Sequence, residues 1–199
     1  MRKSVGMLFL AALVLFGLTV APAAAQQRST RAPFLMGLAG GATWSDFQNP
    51  DSEGRWGGTA GLFLGKATFR TLSTFEVNWV QKGGGDFRID YLELPLTFGG
   101  VGRTRSGTGR ARIYTGVAVG FKLGCGGSSG PAACDALNGT EWSIPIGMQV
   151  GRWTGEGQTR FIALDARYYM SLSDLTDVAQ TYHQTWMFRI VIGKNAGRY

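Results

Sequence analysis

A single histidine, His183, is the only imidazole in the 199-residue chain. A Ser–His–acid relay acting on a lipid would have to be built on it, because a serine hydroxyl is a weak nucleophile until a base takes its proton. Ser171, Ser173, Asp174 and Asp177 lie close to His183 in sequence and could supply nucleophile and orienting acid. No G-x-S-x-G elbow accompanies them. The expected state of His183 is a solvated loop residue, so no catalytic residue is assigned. A lipid-modifying enzyme using His183 stands as the second alternative function.

Three other patterns suggest chemistry. Cys125 and Cys134 are the only cysteines and flank "GGSSGPAA", a loop sequence. In an exported chain this spacing predicts a disulfide. Without nearby histidines the pair makes a poor zinc site, and no metal or cofactor is expected. "GLFLGKAT" at 61–68 is one residue short of a phosphate loop and lies on a strand. Finally, Glu76, Glu93, Asp165, Arg112, Lys122, Arg167 and Arg189 are charges set inside otherwise strand-like runs. They could line a pore or form a plug of ion pairs. Glu76, Glu93 and Asp165 are expected to face Arg112, Arg167 and Arg189, since an unpaired buried ion costs several kcal/mol.

The elements that would position these residues show a period of two. Glycine is abundant (31 residues) and no long segment has a helical period. Alternating runs occupy 34–44, 55–65, 69–81, 87–98, 111–123, 142–151, 160–170 and 184–193. Eight such runs joined by polar, Gly-rich connections predict an all-β, eight-stranded antiparallel up-and-down barrel.

Such a barrel can be oily inside, as in a soluble carrier, or oily outside, as in a transmembrane β-barrel. The second arrangement is predicted. The polar face of each run is crowded with Gly, Ala, Ser and Thr among opposed charges, as a narrow lumen requires. The apolar face carries no charge in the centre of any run. Trp44, Trp56, Trp79, Trp142 and Trp186 all fall on the apolar face and, in a meander, at one end. Phe34, Phe69 and Phe98 mark the other end. Aromatic belts flanking an apolar band suit the two interfaces of a bilayer. Within "DYLELPLTFGG" (90–100), Leu92, Leu94, Leu96 and Phe98 should face lipid and Glu93 the lumen. Pro95 removes a ladder hydrogen bond and is expected to mark a bulge.

Residues 1–25 read as a secretory signal peptide: Arg2 and Lys3, an apolar run from Met7 to Val20, then Ala23-Ala24-Ala25 before the expected cleavage. Residues 26–199 form the barrel domain. Removing Arg2 and Lys3 lowers the formal charge from +7 to +5. No nucleic-acid partner is expected of an exported chain; outer-membrane lipid, with lipopolysaccharide as a further candidate, is the expected anionic partner.

"IDYLELPLTFGG" followed by "RIYTGVAVGFKL" resembles the PorT-type outer-membrane β-barrel domain family, as do "GLAGGATWSDF" and "GLFLG" in the opening hairpin. The resemblance implies an eight-stranded barrel in the outer membrane of a Gram-negative bacterium, and no single activity. The assembly machinery of that membrane is then an expected partner. The terminal aromatic it commonly recognises, Tyr199, is separated from the eighth run by "GKNAGR". The expected protein is a monomer with termini in the periplasm and a structural, loop-presenting or adhesive role, without catalysis. A narrow small-solute or ion channel is the first alternative.

Overall fold

In a strand, consecutive side chains point to opposite faces, so one register decides the environment of every residue. In a computed structural model, the described residues are 34–47, 53–68, 70–104, 108–127, 134, 137–155, 159–173 and 183–196, with Arg103 and His183 described by backbone only. Residues 1–25, read from sequence as a signal peptide, and Phe69, Asp174, Asp177 and Tyr199 lie outside them. Eight strands follow one another: β1 Phe34–Phe47, β2 Arg55–Ala67, β3 Thr71–Gly84, β4 Phe87–Arg103, β5 Gly109–Gly126, β6 Thr140–Thr154, β7 Arg160–Ser171 and β8 His183–Asn195. Each pairs antiparallel with its neighbour, and β1 pairs with β8 to close the barrel. Closure satisfies the backbone without leaving an edge, which hydrocarbon would not tolerate.

Each strand runs one to several residues beyond its alternating run at one end or both, although β3 begins at Thr71 rather than at 69; β4 and β5 reach 17 and 18 residues. These long strands carry the sheet past a bilayer-spanning length of about 9–11 residues. At the end bearing the tryptophans, β3 and β4 join through Gly85-Asp86, where the positive φ of Gly85 (54°) permits a tight turn.

The alternation is inside-out. Leu38, Leu62, Ile113, Leu164 and Ile190 are each more than half exposed on the outer face. Ile146 and Phe188 are exposed too, and Leu94 and Val119 are half-buried; all four point away from the lumen. Inside lie Thr43, Glu76, Asn78, Glu93, Thr97, Asp165, Arg167 and Arg189, all buried. A water-soluble barrel would reverse these sets. The fold is therefore an eight-stranded antiparallel up-and-down transmembrane β-barrel.

Pro95 behaves differently from the expectation. The β3–β4 ladder runs to Phe75↔Leu96 and resumes at Asn78↔Glu93 in the same register, so Pro95 interrupts the ladder without a bulge. Pro145 does the same between β5 and β6, where pairing skips from Thr115↔Ile146 to Ala118↔Ser143. Each proline lacks one donor and spares the partner strand's register. The register shift lies instead between β4 and β5, where Asp90 pairs with Gly124 but Tyr91 with Lys122, leaving Leu123 as the extra residue.

Leu164→Arg places a cation in the middle of the outer face. Urea unfolding in phospholipid vesicles should show a loss of about 2–4 kcal/mol. A change within roughly 0.5 kcal/mol, typical of a watery surface, would show that this face does not meet lipid.

Candidate functional site

The interior of an eight-stranded barrel is only wide enough to be filled by its own side chains. In this chain it is filled in three levels. At the end where β1 begins and β8 finishes, Leu35, Ala39, Phe63, Ala67, Trp153, Phe161, Ala163 and Val191 form an apolar cluster. Arg110 stacks over the Trp153 ring at 5.1 Å.

The middle level is ionic. Inward positions on β3, β7 and β8 bring Glu76, Asp165, Arg167 and Arg189 together. Arg167 donates through both terminal nitrogens to the two Glu76 oxygens (3.1 and 3.0 Å). It also donates to Asp165 Oδ2 from Nε (3.1 Å) and Nη2 (2.8 Å). Arg189 bridges the same two carboxylates, donating to Asp165 Oδ2 (2.7 Å from Nη2) and Glu76 Oε2 (2.9 Å). Asn78 donates to Glu76, and the Tyr114 hydroxyl donates a short hydrogen bond to Asp165. Two guanidiniums and two carboxylates leave this cluster formally neutral. Forked, charge-assisted contacts of this kind are the geometry that offsets desolvation.

The upper level is built on Lys82. Its Nζ lies 2.5 Å from Glu93 Oε1 as an ion contact and donates to both oxygens of Glu141 (3.3 and 3.2 Å). The rings of Tyr91 and Tyr169 flank the ammonium at 5.2 and 5.4 Å. The Tyr169 hydroxyl accepts from Arg167, so one tyrosine touches both levels. Glu93 thus faces a cation that the sequence reading left out. Lys82 and Glu141 each lie one residue beyond the runs read as strands; continuing the parity of Glu76 and Asn78, and of Ser143 and Pro145, points both inward.

Two expected members take other partners. Arg112 donates to the Leu72 carbonyl (3.0 Å) and the Thr97 hydroxyl (2.9 Å), and stacks over Tyr114 at 4.4 Å. It lies two residues along β5 from Tyr114, whose hydroxyl reaches Asp165, and takes a carbonyl and a hydroxyl as its acceptors. Lys122 lies beside the Leu123 bulge and donates to the Cys134 and Leu137 carbonyls, both at 2.7 Å. It fastens the β5–β6 connection rather than joining the network. The bond between Cys125 and Cys134 closes the same connection, with Cα atoms 5.8 Å apart.

Glycines make the space these side chains fill. A Cβ on Gly61 would sit 2.0 Å from Asn78 Oδ1, and one on Gly147 would sit 2.5 Å from the Tyr114 hydroxyl oxygen. Two cavities left in the interior, one lined by Trp153 and Arg110 and one by Glu76 and Arg189, hold about 20 Å³ each. That is room for roughly one water molecule.

On the outside, Trp44 pairs across the ladder with Trp56 and with Trp186, and Trp186 with Tyr168, giving an aromatic row over β2, β1, β8 and β7. Trp79 and Trp142 are exposed on the same face of β3 and β6, and Phe34 and Phe98 are exposed toward the other end. Ser171 donates to the Ser173 carbonyl, and the Ser173 hydroxyl accepts from the Trp142 backbone N–H. Both serines near His183 are thus engaged in holding the end of β7 against β6.

Replacing Arg167 by Met leaves Arg189 alone against two buried carboxylates and should cost about 3–5 kcal/mol of unfolding free energy in urea. Arg112→Met, which loses a carbonyl and a hydroxyl acceptor, should cost about half of that or less. Equal losses would refute the partition described. Unfolding under non-reducing conditions with iodoacetamide should add no label; prior reduction should add two, one for each of Cys125 and Cys134.

No family model matches the chain, and no curated protein matches it. Solved structures do. Neisserial surface protein A is similar at a TM-score of 0.54 and 10% identity, over 81% of this chain and 96% of that one. The outer membrane protein OprG from Pseudomonas aeruginosa is similar at 0.54 and 12%, over 84% and 97%. At such identities the likeness is one of fold, and it is the fold of eight-stranded outer-membrane barrels.

Proposed function

We propose that this chain is a small outer-membrane protein of a Gram-negative envelope, exported by residues 1–25, whose role is structural, loop-presenting or adhesive rather than catalytic. The observation that carries the reading is the filled lumen. Buried ion pairs joined by tyrosines occupy its middle and upper levels, and the apolar cluster closes its other end. A cylinder so packed spends its interior on rigidity and offers the membrane exterior and the loops as working surfaces. The longer connections, 127–139 and 172–182, leave from the tryptophan end. Long loops belong to the extracellular side of such barrels, which leaves the strand ends near Phe34 and Asn195 toward the periplasm. The disulfide and Lys122 tie the first of these loops to β5, as suits a loop that keeps its shape for a partner. The PorT-type resemblance, carried by residues 89–100 and 112–123 and by 37–47 and 61–65 in the opening hairpin, agrees with this assignment.

Reconstitution into a planar bilayer separates this reading from a channel. The protein should give no discrete conductance steps. Steps that respond to Arg189→Ala would instead make the ionic level a gate.

A further inference from the structure

Below the ionic level, the outer wall changes character at the rim where β1 begins. The outward positions nearest this rim include Lys66 on β2, Arg152 on β6 (with Thr154 beyond it), Arg160 on β7 and Lys194 on β8; the four cations are exposed, each two residues beyond an outward apolar side chain: Leu64, Val150, Ile162 and Ile192. Together they cover the arc β2–β1–β8–β7–β6, with Phe34 opposite Lys66 on β1. Among the described residues no carboxylate shares this rim. At the opposite rim Asp46, Glu53, Asp86 and Asp90 are interspersed with Arg55 and Arg88.

Within the arc, Arg160 and Lys194 are direct cross-strand partners. Two like charges placed opposite each other destabilise a sheet unless something between them carries the other sign. The same two residues bound a groove of about 620 Å³ that runs down the lipid-facing wall. Its sides are Leu38, Leu64, Phe75 and Ile192, and Gly37 and Gly193, paired across the β1–β8 ladder, contribute backbone to its floor. The inward ring of Phe63 backs that floor from the lumen side, within 2.9 Å of where a Cβ on either glycine would sit.

We propose that this groove and its cation pair form a site for one anionic phospholipid of the periplasmic leaflet, with an acyl chain in the groove and the phosphate between Arg160 and Lys194. The site rests on the membrane orientation proposed above. It commits to a phospholipid rather than to lipopolysaccharide, because the basic rim lies at the end away from the long loops. Apolar wall and paired cations match the two halves of such a lipid in the order in which a leaflet presents them.

Native mass spectrometry of the full mature protein, released from detergent with added phosphatidylglycerol, phosphatidylcholine or lipopolysaccharide, tests this. One phosphatidylglycerol should be retained in preference to phosphatidylcholine by roughly tenfold or more, as two basic side chains at an anionic headgroup imply. Arg160→Ala with Lys194→Ala should remove the preference, and Leu64→Trp should reduce retention of both phospholipids. Arg88→Ala, at the opposite rim, should change neither. Heat-modifiable electrophoretic migration identifies variants that still fold. Equal retention of the two phospholipids, stronger retention of lipopolysaccharide at this rim, an effect of Arg88→Ala as large as that of the double variant, or a protein dimer that excludes lipid would each overturn the site. Lipid retention is read independently of conductance, so failure here leaves the sealed-lumen reading standing.

Discussion

The two-arginine, two-carboxylate cluster at mid-height is the interaction around which the rest of the barrel is arranged. Arg167 grips Glu76 with both terminal nitrogens and shares Asp165 with Arg189. Enclosed by a sheet whose outer surface meets hydrocarbon, none of these groups has bulk water to fall back on. Each must find its full complement of partners inside the cylinder, and breaking the set strands a charge at high cost. This explains why Asn78, Tyr114 and Tyr169 stand beside the ions: each supplies a hydrogen bond that an ion pair alone would leave unmade.

Space follows from the same requirement. The Asn78 and Tyr114 side chains that complete the cluster need neighbouring positions that carry no side chain, and inward glycines, Gly61 on β2 and Gly147 on β6, provide them. The prolines fit the scheme as well. Pro95 and Pro145 both point inward and each interrupts one ladder for two residue pairs while the register holds. The closed ring tolerates these gaps because the strand on the other side of each proline remains paired.

The outer surface obeys a different solvent. Its aromatic row runs directly across four strands, Trp56 to Trp44 to Trp186 to Tyr168, with Tyr168 and Trp186 in ring contact at 5.0 Å. Indole and phenol combine an apolar body with a polar edge, which suits the boundary between headgroups and hydrocarbon. At the other boundary the wall is finished by cations and by Phe34 and Phe98. The two rims therefore differ in chemistry while the band between them stays uniformly apolar.

The amino-acid sequence by itself determined strand number, order and facing. A period-two pattern with small and ionic residues on one face and aliphatic ones on the other has one closed solution when that pattern occurs eight times, and both cysteines were assignable from spacing. Strand ends were less legible, because alternation fades near loops; Lys82 and Glu141 were missed for that reason. Tertiary structure decided the partners. Glu93 meets Lys82 rather than an arginine, Arg112 settles on a carbonyl and a hydroxyl, and Lys122 turns to its own loop. Those outcomes depend on relative height across non-adjacent strands, which is set by the stagger of the closed sheet and by the Leu123 bulge. A single strand's sequence specifies which face a charge occupies, but the stagger that brings it level with its counter-ion exists only once all eight strands have joined.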